Sequence, residues 1–425
     1  MDDASLGRLF LGLDAERLEE AQYYARAARV ATHFTSRRLK YLDIGGIGRY
    51  GGALVFREHD ENNVPVRKIL VKYSHSLEGD EALRNEAEWL GRLRGAEHIV
   101  QMIPLAETNL NVSGTGKRPA IALEFLPYGT ARMLIIKCQE LRGRLPNRLL
   151  WHVMLCLARQ MTAMAFPPNR GPDASVLPEQ IQPGGDQLPL THNSAHLTNL
   201  MIGDFTPTRD HDLIPIFKLI DFGHGRLEDD VATAVNQNSL NAAYLLMSLA
   251  MPELTSEQLI KGTIEGRTYH NYILKEINLT SVVEIKTCAN KDFLYHDDID
   301  ELLQDLIALM CSRHYRPAVA DIVVIAEHAV RERNLGSSDD EIRRLVQALI
   351  LDGDVIGGPL DAPLPENQLG TSLQGLITAA ERAGGDLEWM IAEPDEPAQA
   401  QGPTLFQTFN DMLARMQNTS ADDVD

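Results

Sequence analysis

The spacing of apolar and polar positions divides the chain into a front part of short extended runs and a longer part of helices. Residues 14–33, through Leu18, Ala21, Tyr24, Ala25 and Ala28, repeat at helical spacing behind Asp14 and predict an opening amphipathic helix. The runs 53–56 and 68–71 flank the polar segment 58–65, the pattern of a hairpin with a long exposed connection. A charged helix over 81–93 follows, then a strand pair near 99–103 and 120–125, and a strongly apolar helix over 147–166. Past Phe222 the period is helical, at 239–249, 256–277, 299–310 and 318–331. Strands first and helices later predict an α+β protein with two unlike halves.

Beyond Asn334 the composition shifts. Residues 335–425 hold 17 Asp and Glu against 4 Arg, and no lysine follows Lys291. Helical spacing returns at 340–351, 372–383 and 405–416, broken by joints such as Gly357-Gly358-Pro359 and Glu393-Pro394-Asp395-Glu396-Pro397. This predicts an acidic, partly ordered extension whose charge suits a basic protein partner.

The whole chain carries a formal net charge of −20, which repels a phosphate backbone and sets nucleic acid aside as a partner. Its 425 residues, 44% apolar and 24% charged, suit a soluble globular protein with one large two-lobed domain and an appendage, or two to three ordinary domains. Cys138, Cys156, Cys288 and Cys311 are widely spaced, with no CxxC and no histidine at a zinc-ligand interval, so buried free thiols in a reducing compartment are expected. Met1-Asp2-Asp3-Ala4 carries no basic leader region, and no run approaches the roughly eighteen apolar residues of a span. A cytoplasmic or nuclear protein without membrane contact is expected.

Candidate chemistry begins at Gly46-Ile47-Gly48-Arg49-Tyr50-Gly51, which fits GxGxxG. Glycines let backbone amides approach phosphate oxygens without Cβ atoms in the way, although glycines in a plain hairpin turn read the same. A dinucleotide fold would need a helix next, whereas 53–56 reads as a strand. Lys72 ends the apolar run Ile69-Leu70-Val71, so its stem starts in a buried strand and its ammonium must find an anion. Glu86 follows on the charged helix, with Glu88 as the fallback partner, and Ile121-Ala122-Leu123-Glu124-Phe125-Leu126-Pro127-Tyr128-Gly129 forms an apolar strand running into a Pro-x-Gly joint. Last come His192-Asn193-Ser194-Ala195-His196-Leu197-Thr198-Asn199 and, after an apolar run, Asp221-Phe222-Gly223.

Taken in this order, over about residues 40 to 330, the set resembles the protein kinase-like superfamily in a divergent, fungal-type or atypical form. The resemblance implies a bilobal kinase-like fold: an N-terminal helical extension at 1–39, a β-rich N-lobe at 40–126, a helical C-lobe at 127–334 and the acidic tail at 335–425. It implies ATP and Mg²⁺ as ligands. Gly46, Gly48 and Gly51 would cover the phosphates, Lys72 would hold them with Glu86 behind it, and Asn199 and Asp221 would hold the metal. Leu123 would be the gatekeeper, with the backbone of Glu124 and Leu126 against the adenine edge.

The resemblance breaks where the family keeps its catalytic aspartate, five residues before the asparagine, because this chain has Ser194. A hydroxyl is neither anionic nor basic near neutral pH and does not replace a carboxylate general base. His192 matches a member of the apolar spine that joins the lobes, and His196 is a conceivable substitute base. From Asp221 to Asn236-Gln237-Asn238-Ser239, which resembles the opening of the next kinase helix, only 15 positions remain and no APE motif occurs. Asn236 then stands where an aspartate braces the catalytic loop, the segment 206–212 is expected to project as a hairpin, and Arg316-Pro317 resembles the late Arg-Pro signature. The leading expectation is a pseudokinase acting as a scaffold or allosteric regulator. An active protein or small-molecule kinase, and an interaction protein that binds no nucleotide, stay open as alternatives.

Overall fold

The computed structural model describes residues 15–352 and residue 360, apart from 37, 49, 105–118, 142, 172–173, 182–186, 207–209, 255–268 and 278–283. In chain order these residues form α1 (Ala15–Phe34), β1 (Leu39–Ile47), β2 (Gly51–His59), β3 (Pro65–Ser74), α2 (Leu77–Arg92), β4 (Ala120–Glu124), α3 (Ala131–Glu140) and α4 (Asn147–Ala165). There follow β5 (Leu190–Thr191), β6 (Leu200–Ile202), β7 (Phe217–Leu219), β8 (Arg226–Leu227) and α5 (Val231–Ala250). The last elements are β9 (His270–Ile273), β10 (Glu284–Thr287), α6 (Lys291–Leu294), α7 (Glu301–Met310), α8 (Val319–Glu332) and α9 (Asp339–Val346), which runs into a π-helical turn at Gln347–Leu351. The result is a mixed α+β protein with a four-stranded antiparallel sheet, β1-β2-β3-β4, followed by helices.

The sheet divides two cores by strand periodicity. Ile69, Val71 and Tyr73 on β3 and Ala120 and Ala122 on β4 face α1, which buries Ala27, Val30, Ala31 and Phe34 against them. Leu70, Ile121 and Leu123 point the other way, toward the larger core that also holds Leu83, Trp89 and Leu90 of α2. The opening helix thus shares its core with the sheet. In the helical half, α4 is buried on nearly every side because α5 and α8 cover it, and Trp151, Val153 and Met154 are fully buried there. Asp230, Asn290, Asp300 and Ser338 cap α5, α6, α7 and α9 by accepting backbone N–H groups. No helix among the described residues is long and apolar enough to cross a membrane.

Several local expectations change. Residues 99–103 make only single bridges, Ile99 to Leu219 and Met102 to Leu123. Backbone bonds from Ile103 to Ala122 and from Glu124 to Gln101 flank the second bridge, and the Gln101 side chain donates to the Ala96 and Ile99 carbonyls while its backbone N–H donates to Glu124 Oε1, which keeps the pairing short. The helix expected over 256–277 lies mostly outside the described residues, and its end is β9, where alternation buries Tyr272 with its hydroxyl on Asp305. The tip of the segment expected to project at 206–212 lies outside the described residues; at its base the Thr206 N–H donates to the His211 carbonyl, with His211 buried and Asp212 exposed. The helices expected at 372–383 and 405–416 lie outside the described residues.

Candidate functional site

Strand alternation puts Lys72 on the face of β3 opposite α1, where α2 crosses the sheet. Ser76 caps α2 by accepting the Gly79 N–H at 3.0 Å, and the helical period then turns Leu83, Glu86 and Leu90 inward on one stripe. Lys72 Nζ donates to Glu86 Oε2 at 2.6 Å and to Asp221 Oδ1 at 2.7 Å. Glu88 faces outward and accepts from Arg92 at 2.8 Å, so Glu86 is the partner. Burial opposes the charge on Lys72, but the attraction of Glu86 and Asp221 outweighs it and its pKa is raised. Burial pushes the Glu86 carboxyl up to about 7, against the pull of Lys72. Burial acts the same way on Asp221, yet Lys72 overrides it and holds that carboxyl below its usual value.

Asp221 follows β7 in a left-handed conformation, φ 66° and ψ 67°, which costs on the order of 1 kcal/mol for a residue with a Cβ and needs support from its neighbours. Support comes from three sides. The Ile220 N–H donates to the Asn199 carbonyl at 2.9 Å, His192 Nε2 bonds the Ile220 carbonyl at 2.9 Å, and Asn85 Nδ2 donates to the Gly223 and Gly225 carbonyls at 2.9 and 2.8 Å. The Trp89 indole N–H reaches the Gly225 carbonyl as well, at 3.0 Å. His192 packs edge-on to Phe222, with ring centroids 4.5 Å apart. With Nε2–H on Ile220 and Nδ1 accepting the Ser194 N–H, the His192 ring is neutral, and burial takes its pKa down to about 4.

The loop carrying Ser194 is a closed neutral network. Asn199 Nδ2 shares its two hydrogens among the Ser194 carbonyl at 2.9 Å, Ser194 Oγ at 3.1 Å and His196 Nε2 at 3.2 Å, while His196 Nδ1 pairs with Thr198 Oγ1 at 2.6 Å. Ser194 Oγ stands 3.4 Å from His196 Nε2. Burial lowers the His196 pKa, so the ring stays uncharged. The brace for this loop is Asn238 on α5, which donates to the Leu190 carbonyl at 2.8 Å and accepts the His192 N–H at 3.4 Å; it replaces the expected Asn236. The helix also opens five residues earlier than 236, at Val231 behind the Asp230 cap. Arg316 donates to the Ser312 carbonyl at 2.9 Å.

Between these walls lies a cavity of about 740 Å³, within the range that holds a small-molecule ligand. Gly46, Gly48 and Gly51 line it together with Lys72, Glu86, Leu123, Glu124, Leu126, Asn199 and Asp221. His192, Ser194 and His196 stand behind the lining, which takes Thr198 and Asn199 from their loop. A Cβ on Gly51 would lie 2.0 Å from the Tyr73 carbonyl oxygen, so packing alone demands glycine there. A Cβ on Gly46 would meet nothing within 4 Å, and one on Gly48 only the Gly51 carbonyl at 3.5 Å. Those two face open space, so packing does not demand glycine at either position. At the end of β4, the Glu124 N–H is committed to the Gln101 carbonyl at 2.9 Å and its carboxylate accepts from Lys218 at 2.7 Å.

Sequence reasoning missed Asn85, Trp89 and Asn238, and also Leu349 and Ile350, which enter the lining from the π-helical turn after α9. An asparagine inside a helix, as at 85 and 238, is a usable flag, because its amide must have found something better than solvent. Nothing in the local pattern says that 349 and 350 would reach the cleft.

No protein-family model matches this chain, and no curated protein matches it.

Proposed function

We propose that the protein is a bilobal kinase-like pseudokinase that binds ATP with Mg²⁺ in this cleft and turns it over poorly or not at all. The observation that carries the reading is Lys72 shared between Glu86 and Asp221 in the lining of the cavity, beside two glycines with open space in front of them. An ammonium held charged by two carboxylates is suited to phosphate oxygens. The donor set also fits a hard divalent cation: Asp221 is ionised and its side chain is 37% exposed, and Asn199 lines the same cavity with its Nδ2 turned into the loop. Bound there, Mg²⁺ would neutralise phosphate charge. The Glu124 carbonyl and the Leu126 backbone would take the adenine edge, since the Glu124 N–H is already used.

Impaired turnover follows from the loop. Ser194 is 4% exposed and carries no charge, and the Nε2 of His196 already accepts from Asn199, so neither offers a free basic lone pair to an attacking hydroxyl. The acidic segment 335–425 would attract a basic protein partner, over a reach of about 10 Å at moderate salt.

Thermal unfolding of the full chain with and without millimolar ATP and Mg²⁺ tests the binding. We expect a rise in Tm that disappears in Lys72→Met and falls on omission of Mg²⁺. No rise in the wild-type chain overturns the reading in favour of an interaction protein that binds no nucleotide, and ATP turnover abolished by Asp221→Ala replaces it with an active phosphotransferase.

A further inference from the structure

Outside the cleft lining, three donor atoms from distant parts of the sequence meet in the core. His98 lies in the turn after α2, Cys156 on α4 and His211 between β6 and β7, at 2%, 0% and 1% exposure. Both rings are fixed from the Nδ1 side. Glu179 accepts the His98 backbone N–H and the His98 Nδ1–H, each at 2.7 Å, and the Ile214 carbonyl lies 3.3 Å from His211 Nδ1. Both partners are acceptors, so each Nδ1 carries a hydrogen; with both rings neutral, their Nε2 lone pairs would face each other. Those nitrogens are 3.0 Å apart, Cys156 Sγ is 4.0 Å from the His211 Nε2, and all three ligand atoms fall within 4.8 Å of one another. Two lone pairs at that separation repel unless a cation lies between them.

We propose that His98 Nε2, His211 Nε2 and Cys156 Sγ form a buried structural site for a divalent d¹⁰ metal ion, zinc(II) by its chemistry. Zinc takes imidazole nitrogen at about 2.0–2.1 Å and thiolate sulfur at about 2.3 Å, which on a tetrahedral centre separates two nitrogens by about 3.3 Å and nitrogen from sulfur by about 3.6 Å. The observed 3.0 and 4.0 Å straddle those values, so small ring movements suffice. Imidazole and thiolate donors select zinc over the hard cations of an all-oxygen site. Charge selects a divalent ion over copper(I): with the Cys156 thiolate and the Glu179 carboxylate, a divalent ion leaves this part of the core neutral, whereas a monovalent ion leaves it negative. Glu179 behind His98 is the carboxylate that orients a ligating imidazole.

The rival occupant is a proton, with His98 as imidazolium donating to His211. It satisfies both rings and leaves Cys156 without a part. The site matters to the cleft because Leu219 N–H donates to the His98 carbonyl at 3.0 Å and Val100 N–H to the Leu219 carbonyl at 3.1 Å, two residues before Asp221. One ion would pin the turn after α2, α4 and the strand leading to Asp221 at a single point. The proposal does not depend on nucleotide binding.

The test uses the full chain, purified without chelator, dialysed against zinc(II) and freed of excess by gel filtration. We expect one zinc per chain by mass spectrometry and an X-ray absorption first shell containing two nitrogens at about 2.0–2.1 Å and one sulfur at about 2.3 Å. With cobalt(II) in place of zinc, a thiolate-to-metal charge-transfer band should appear, persist in Cys138→Ser and vanish in Cys156→Ser. A folded wild-type chain that retains no stoichiometric zinc after dialysis, or zinc whose first shell lacks sulfur, overturns the proposal and leaves the shared proton. The wild-type measurement decides the matter even if Cys156→Ser fails to fold.

Discussion

The two walls of the cleft are built from opposite electrostatics. On one, every functional group is charged: Lys72 lies between Glu86 and Asp221 at 2.6 and 2.7 Å. On the other, Ser194, His196, Thr198 and Asn199 close a hydrogen-bonded ring in which nothing is charged. The contrast separates two jobs that the same cleft would have to perform in a phosphotransferase. Holding phosphate and metal needs fixed charge, and one wall has it. Accepting a proton from an attacking hydroxyl needs a free basic atom, and the other wall has used its candidates to hold itself together.

Restoring a carboxylate to the neutral wall is the strongest way to challenge that division. Ser194→Asp puts an acceptor where Asn199 Nδ2 already points at 3.1 Å, and we expect ATP turnover, followed by ADP release, to rise by about 10²-fold or more. The nucleotide-induced rise in Tm should stay. Wild-type turnover that is already fast and insensitive to this change would mean that the neutral wall does chemistry after all.

Breaking the charged wall acts on stability as well as on binding. Lys72→Met leaves Glu86, at 1% exposure, as a carboxylate without its cation, and urea unfolding should show a loss of about 3 kcal/mol at pH 8. At pH 5.5 the loss should be smaller, because a carboxyl that burial already raises to about 7 takes up a proton instead. Glu86→Gln in the Lys72→Met background should recover part of the loss, and the non-additivity measures the pair.

The two walls should also fail in different pH windows. His192 behind the neutral wall is held neutral by burial, with its pKa down from 6.5 to about 4. In the unfolded chain it binds its proton first, so its contribution is fully present above pH 6.5 and is lost as pH falls from 6.5 toward 4, about 3 kcal/mol in all. Asp221 has a lowered pKa, so its contribution is present above the ordinary carboxylate value of 3.8 and is lost only as pH falls below that. Glu86, raised from 4.5 to about 7, adds stability over the same range as pH falls, so the comparison is between variants: unfolding free energies at pH 6.5, 5.5 and 4.5 should fall more in the wild type than in His192→Gln. An equal slope in both would remove His192 from the account.

How much of this was readable in the sequence differs between the walls for a physical reason. Lys72, Glu86 and Asp221 announce themselves, because a charge on the inner face of a strand or on an apolar helix stripe must have a partner. The strands around the glycines, α4, and the last two helices before Asn334 follow from period alone. The helix Ala131–Glu140 was also there to be read, since Ala131, Leu134, Ile135 and Cys138 are buried at helical spacing. Contacts made across the fold were not readable. Gln101 folding back on the Ala96 and Ile99 carbonyls cut short a strand that its neighbours predicted, and Asn238 took the bracing contact assigned to Asn236. His98, Cys156 and His211 show no ligand spacing, because three separate elements bring them together.

The smallest expected effect concerns a joint inside the charged wall. Asn85 on α2 donates to the Gly223 and Gly225 carbonyls, and Trp89 shares the second of these, so the helix that carries Glu86 is stitched to the turn that carries Asp221. Asn85→Ala removes contacts to the Phe222, Gly223 and Gly225 carbonyls, but the Gly225 N–H keeps the first satisfied and the indole the third, so only the Gly223 oxygen is stranded and the cost should be about 1–2 kcal/mol in urea unfolding. Asn85→Asp should cost more than alanine, because a carboxylate would then face two carbonyl oxygens with no hydrogen between them. If the stitch sets the position of Asp221, alanine should also weaken the nucleotide-induced rise in Tm beyond what the loss of stability explains. If it only fastens α2 to the fold, the rise should survive intact, and Lys72 with the Trp89 indole then holds Asp221 beside Glu86 without it.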